Sequence, residues 1–101
     1  MDTMVKQKFQ QAISRVWVQR AHKKLTDQQF LYLVHGANYA LQNLDVHYSI
    51  KQKKLVDGGE VNVPEEEPVE ISYFQKGYLL MAGIAEKEGI DIPEMPVSLS
   101  L

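Results

Sequence analysis

The segment 72–88 constrains the fold of this chain most strongly, because as a helix it is apolar around most of its circumference. A surface helix normally has one apolar stripe and one polar face, so a helix without a polar face has to be covered from several sides. We expect this helix either to be central to the fold or to form half of an interface with another chain. The side chains responsible are Tyr73, Phe74, Tyr78, Leu79, Leu80, Met81, Ile84 and Ala85.

Local signals predict where this helix begins and ends. Ser72 and Gln75 have the spacing of a capping box, in which each side chain satisfies a free backbone N–H at the helix start. Gly89 is suited to end the helix, because glycine readily adopts the left-handed conformation found at helix C-termini.

Two helices are predicted before it. Apolar residues at helical spacing indicate a first helix over about 4–24. Thr26 and Gln29 have the spacing of a capping box and mark the start of a second helix. The apolar face of the second helix continues to Leu55, which predicts one continuous helix over about 27–56.

The second half of that helix also fits two strands. In this alternative the helix breaks near Asp45, and a short hairpin forms over about 46–63 with a turn at 57–60. The predicted fold is an all-α domain of three helices, 1–101, with an α+β fold containing the hairpin as the alternative. The strand residues would be Val46, Tyr48, Ile50, Leu55, Val56, Val61 and Val63.

Two segments are predicted to be extended. Residues 57–70 hold glycines and prolines around the consecutive glutamates Glu65, Glu66 and Glu67, which indicates a solvated acidic strap. Beyond Gly89, prolines interrupt any helix and apolar residues alternate with polar ones, which predicts an extended arm over 90–101.

Charge is divided along the chain. Residues 1–56 carry nine Lys/Arg and three Asp/Glu, a net charge of +6, whereas residues 57–101 carry two and ten, a net charge of −8. The total of −2 hides this division. Oppositely charged regions favour association, either between the two halves of one chain or between molecules.

Residue types and spacings give no indication of catalysis. The chain has no cysteine, and His22, His35 and His47 are 13 and 12 residues apart, which is not the one-turn spacing of a zinc site. No phosphate-binding or nucleophile motif occurs. We expect no catalytic residue, metal or cofactor. The lack of a long apolar segment and of a signal peptide favours a cytoplasmic protein that does not enter a membrane.

Two sets of residues are candidates for a protein interface. Tyr32, His35 and Tyr39 lie on the outward side of the second helix, where rings could equally be covered by a neighbouring helix of the same subunit. The apolar third helix predicts a homodimer or higher oligomer. Gly36 in the second helix is expected to allow close helix contact, and small residues of the third helix are expected to serve the same purpose. These are Gly77, Ala82, Gly83 and Ala85. The third-helix residues expected between subunits are Tyr73, Tyr78, Leu79 and Met81.

These features favour a small regulatory or adaptor protein, from a bacterium or its phage, that acts by binding itself and another macromolecule. The first alternative is a nucleic-acid-binding protein that uses the basic N-terminal half. The second is an enzyme with a site across an oligomer interface around Tyr32, His35 and Tyr39. The candidate contacts to nucleic acid are Lys23, Lys24, Lys51, Lys53 and Lys54.

Overall fold

The computed structural model of the chain describes residues 2–22, 24–62 and 68–95, with the backbone alone for 68–70. This part of the chain is rich in helix and contains one small antiparallel sheet. The predicted α+β alternative is compatible with this sheet, which is small within a mostly helical fold. The elements are α1 Thr3–Ala21, α2 Asp27–Leu41, a 3-10 turn Gln42–Leu44, β1 Val46–Ser49, β2 Lys54–Asp57 and α3 Pro68–Lys87.

Side-chain caps begin the first two helices. The Asp2 carboxylate accepts a hydrogen bond from the Met4 N–H at 2.9 Å at the start of α1. At the start of α2 the Thr26 hydroxyl accepts from the Gln29 N–H at 3.1 Å, and the Gln29 side-chain oxygen accepts from the Thr26 N–H at 3.0 Å. The capping box predicted at Thr26 is therefore confirmed.

Helix α2 ends at Leu41, which corrects the continuous helix predicted over 27–56. After the 3-10 turn, Asp45 has a left-handed φ of 58°, a conformation that does not continue an α-helix. Asn38 explains why a strand follows. Its buried amide accepts from the Tyr48 N–H at 2.7 Å and donates to the Tyr48 carbonyl oxygen at 3.2 Å, as a neighbouring strand would.

The hairpin runs from β1 into β2, with Ser49 opposite Lys54. Its turn lies at 50–53, whereas the alternative prediction placed the turn at 57–60. Lys53 adopts a φ of 58°, and its N–H donates to the Ser49 carbonyl oxygen at 2.7 Å to close the turn. Helix α1 covers β2, where the Gln10 side-chain oxygen accepts from the Leu55 N–H at 3.0 Å.

Helix α3 begins four residues earlier than predicted, at Pro68. Proline is favoured in the first turn of a helix, where its missing N–H needs no partner. Ser72 lies inside the helix, so the capping box predicted at 72–75 is not its start. Gly89, with a φ of 68°, follows the last turn as predicted, and the Ile90 N–H donates to the Ala85 carbonyl oxygen at 2.8 Å.

Helices α2 and α3 run antiparallel and approach each other at two glycines. A methyl group on Gly36 would overlap the Phe74 carbonyl oxygen and lie 2.7 Å from its carbon. One on Gly77 would overlap the Leu33 carbonyl oxygen in the same way. The close contact predicted for these two glycines is therefore confirmed, and no residue with a side chain fits at either position without moving the backbone.

The core lies between α1, the hairpin and the α2–α3 pair. Phe9 and Ile13 of α1 have no exposed surface and join Leu41, Tyr48 and Met81 in it. The start of the predicted arm returns to this core, because the Tyr78 hydroxyl donates to the Pro93 carbonyl oxygen at 2.5 Å. The glutamates of the strap and residues 96–101 of the arm lie outside the described residues.

Candidate protein interface

The inner side of α3 is covered by the protomer itself. Met81 has no exposed surface, and Tyr78 is 9 % exposed. The sequence assigned both residues to an intermolecular interface, but α1, α2 and the start of the arm cover them. Met81 is therefore not available for contact with another molecule in this structure, and Tyr78 exposes only a small part of its surface. Tyr73 is half-buried, with the Lys76 ammonium 4.5 Å from the centre of its ring.

Among the α3 residues whose side chains the structure describes, 71–87, Leu79 is the large apolar residue on the outer side and is 52 % exposed. Gln75, Leu79, Gly83 and Lys87 follow one another at four-residue spacing, which places them in one ridge along the helix surface. We call these four residues the outer row. Around Gly83 a methyl group would have no atom within 4 Å, so nothing in the described part of the protomer requires glycine there.

The sequence left two interpretations open for the rings on α2: contact with another protein, or cover by a neighbouring helix of the same subunit. Tyr39 packs against rings of α3, with its centroid 5.9 Å from that of Phe74 and 6.4 Å from that of Tyr78. A neighbouring helix of the same subunit therefore covers Tyr39 in large part. Tyr32 and His35 are half-buried and meet edge to face at 5.7 Å.

His35 has an unusual environment for a histidine near the surface. Its Nδ1 atom is buried and has no hydrogen-bond partner among the described residues. Burial lowers the pKa of His35 from its ordinary value of 6.5, and the negative charge of Glu60 opposes this effect. The imidazole is thus held in its neutral form. Among the described residues, no hydrogen bond or ion pair joins His35 to another ionisable side chain, so its geometry does not define a catalytic pair.

A groove that the sequence did not predict lies between α1 and the C-terminal end of α3. Its volume is about 480 Å³. Lys8, Arg15 and Lys87 bring three cations to it, and Lys8 is paired with Glu88. Among the described residues, no ion pair engages Arg15 or Lys87. The lining residues are Lys8, Gln11, Ala12, Arg15, Ile84, Lys87 and Glu88, and we call this site the basic groove.

The sequence holds a partial signal for the basic groove. Lys8 and Arg15 are seven residues apart, two helical turns, so they lie on the same face. That spacing was the available signal for one wall of the basic groove. Lys87, on the other wall, is 79 residues from Lys8 and reaches it only through the tertiary fold.

The basic residues proposed to contact nucleic acid surround the hairpin turn and the α1–α2 connection. Lys24, Lys51, Lys53 and Lys54 are all exposed, and Lys23 lies outside the described residues. The Lys53 ammonium is 4.7 Å from the centre of the Trp17 ring. The Arg20 guanidinium is 4.9 Å from the same centre and also forms an ion pair of 2.5 Å with Asp27. Two cations of the protein itself therefore contact the Trp17 ring, an aromatic surface on which a nucleic-acid base would otherwise be able to stack.

In comparisons with known proteins, no family model, no curated protein and no solved structure matches this chain. Within residues 2–22, 24–62 and 68–95, no helix is both long enough and apolar enough to span a bilayer. The same residues contain no cluster of three or more His, Asp or Glu side chains arranged to hold a metal ion.

Proposed function

We propose that this protein is a non-enzymatic regulatory or adaptor protein that acts as a homodimer, with the outer row of α3 as the dimer contact. The observation that carries this proposal is the position of Leu79 and Gly83, one turn apart on the exposed side of α3. A second α3 helix packed on this row would cover Leu79 and approach closely at Gly83.

The glycine supports the proposal because it is unfavourable for the isolated protomer. Glycine within a helix costs about 1 kcal/mol relative to alanine. At Gly36 and Gly77 the contact between backbones accounts for this cost. At Gly83 the described residues leave the surroundings open, and a second helix packed there would account for the glycine in the same way.

Leu79 supports it because other large exposed apolar residues lie on other elements. Met4 and Val18 belong to α1, Leu31 to α2, and Val61 follows the hairpin. Single exposed apolar residues are common on protein surfaces. Leu79 differs in having small neighbours on its own face, Gly83 and the half-buried Ala82, so that a partner helix can reach it.

The test is the mass of the protein in solution, measured by light scattering after gel filtration, for wild type, Leu79→Glu and Val18→Glu. Val18 is 51 % exposed and Leu79 52 %, so the two substitutions change equally accessible sites. We expect a wild-type dimer, a monomeric Leu79→Glu variant and a dimeric Val18→Glu variant, each with a helical circular-dichroism spectrum. A wild-type monomer, or loss of the dimer only in Val18→Glu, contradicts the proposal.

Nucleic-acid binding is a second candidate, favoured by the exposed lysines at 51, 53 and 54 around the hairpin turn. Contacts from these lysines to phosphates would make the affinity fall steeply as salt is raised. A titration of fluorescent duplex and single-stranded DNA at two salt concentrations, with Lys51→Glu/Lys54→Glu as the comparison variant, decides this. Binding that is salt-sensitive and lost in the variant supports this candidate, and undetectable binding rejects it.

A further inference from the structure

The basic groove holds more positive charge than the described residues neutralise. Lys8 has Glu88 as its partner, whereas Arg15 and Lys87 are exposed and have no ion pair within the described residues. Between the cations, the groove offers the apolar surfaces of Ala12 and Ile84. A ligand that suits this lining carries several negative charges on a narrow backbone, as an acidic peptide segment does.

We propose that the basic groove of one protomer binds the acidic run Glu65-Glu66-Glu67 of a second copy of the chain, which adds a charged contact to the dimer of α3 helices. This inference rests on the proposed dimer and specifies how its two copies recognise each other. Charge complementarity supports it, because this run is the longest uninterrupted series of charges of one sign in the sequence.

The acidic run is tethered far from the α3 residues that line the basic groove of its own chain. It directly precedes Pro68 in the sequence, at one end of α3, whereas Ile84, Lys87 and Glu88 line the groove at the other end. A helix rises about 1.5 Å per residue, so roughly 28 Å separate Pro68 from Lys87. Three residues of fully extended chain, from Glu65 to Pro68, span only about 10 Å. A second molecule can bring its run to this groove without that constraint.

An antiparallel pair of α3 helices brings the required parts together. In such a pair, the N-terminal end of each α3 lies beside the C-terminal end of the other, so that two acidic runs meet two basic grooves related by a two-fold axis. Leu79 lies near the middle of Pro68–Lys87, close to the expected axis. Lys87 belongs both to the outer row and to the basic groove, which connects the apolar and the charged contacts.

Charge reversal tests this arrangement directly. In one variant the groove is reversed, Arg15→Glu/Lys87→Glu, and in the other the run is reversed, Glu65→Lys/Glu66→Lys/Glu67→Lys. We expect each variant alone to have a dimer dissociation constant about 100-fold or more higher than wild type, because both contacts become like-charged. An equimolar mixture should form a heterodimer, because the reversed run of one variant faces the reversed groove of the other, and both contacts regain opposite charges.

The control is Lys51→Glu/Lys54→Glu, which makes the same change in net charge at exposed positions of the hairpin. It should remain a dimer, and the circular-dichroism spectra of all variants should match wild type. Sedimentation equilibrium, with one variant of the mixture fluorescently labelled, measures the dissociation constants. If the groove variant dimerises as wild type does while Leu79→Glu does not, the groove proposal is overturned and the dimer proposal stands. If the mixture does not recover, the groove proposal is overturned as well.

A peptide measurement makes the groove testable even if the full chain is monomeric. A synthetic peptide with the sequence of residues 61–70 should bind the wild-type protein and lose binding when Glu65, Glu66 and Glu67 are replaced by glutamine. It should also fail to bind the Arg15→Glu/Lys87→Glu variant. Equal binding of the two peptides contradicts the assignment of the groove to an acidic segment. A wild-type monomer that binds the acidic peptide alone would reject the dimer and retain the groove as a site for acidic segments.

Discussion

Helix α3 has a glycine on each of two sides, about 120° apart around its axis, and their surroundings differ completely. At Gly77 the α2 backbone is so close that a methyl group would overlap a carbonyl oxygen. At Gly83 no described atom lies within 4 Å of a methyl group added there. Contacts between the described residues therefore explain the cost of glycine at Gly77 and not at Gly83. The inner side is a packed seam between two backbones, and the outer side is an open surface among the described residues.

The largest effect is expected at the inner seam. Gly36→Ala and Gly77→Ala each force the α2 and α3 backbones apart, and overpacking of this kind should lower the free energy of unfolding by about 3 kcal/mol or more. Urea denaturation followed by circular dichroism measures this. If the free energy of unfolding falls by less than about 1 kcal/mol in both variants, the two backbones can move apart at little cost, and the difference between Gly77 and Gly83 is small.

A smaller loss is expected where α2 holds the hairpin. Asn38→Ala removes both hydrogen bonds to the Tyr48 backbone and leaves these buried groups unpaired, which should cost about 1–3 kcal/mol. The same denaturation experiment checks this value. Asn43→Ala makes the same chemical change at an exposed position of the 3-10 turn that follows α2, so it is the comparison variant and should change the stability far less. Equal losses in the two variants would contradict the role given to Asn38.

The outer side should respond in the opposite direction. Gly83→Ala is expected to raise the free energy of unfolding of the monomer by up to about 1 kcal/mol, since alanine favours the helix and fits the space. The same change should weaken the dimer if a second helix approaches at that position. Measuring stability at low protein concentration and the dimer dissociation constant on the same variant separates the two effects. If Gly83→Ala raises the free energy of unfolding and leaves the dimer dissociation constant unchanged, the dimer contact does not include Gly83.

The smallest effect is expected in the pH dependence of stability that His35 of α2 contributes. Burial lowers the pKa of His35 below 6.5, so below that pH the unfolded chain binds more protons than the folded one. The stability contributed by the neutral imidazole is complete above pH 6.5 and is lost as the pH falls below it. His35→Gln should reduce this dependence between pH 7 and 5 relative to wild type. Thermal denaturation across this range gives the comparison, and two identical profiles would contradict it.

Local signals were sufficient for part of the fold. The capping box at Thr26, the stop at Gly89 and the contact glycines Gly36 and Gly77 were predicted from the sequence because each depends on neighbouring residues or on one general property of glycine. The end of α2 at Leu41 was not predicted, because the apolar spacing through Leu55 fits a helix as well as a strand. What decides between them is a pair of hydrogen bonds across the fold to the Asn38 side chain.

The candidate site was predicted less completely than the fold. The apolar circumference of α3 indicated correctly that several surfaces must cover this helix, but the sequence could not show that α1 and the start of the arm cover Met81 and Tyr78. Leu79 remains exposed. The basic groove was missed because its two walls come from opposite ends of the chain, and only the folded arrangement of α1 against α3 brings them together.

The glycine contacts between α2 and α3 also limit how these two helices can move. Where one backbone rests against another, neither helix can slide along its axis or rotate without a clash, because there is no flexible side chain to absorb the movement. The two helices should therefore move as one rigid body. A partner on the outer row would meet a surface whose shape is set in advance, so that binding at α3 reports the presence of the partner and leaves the protomer's internal geometry unchanged.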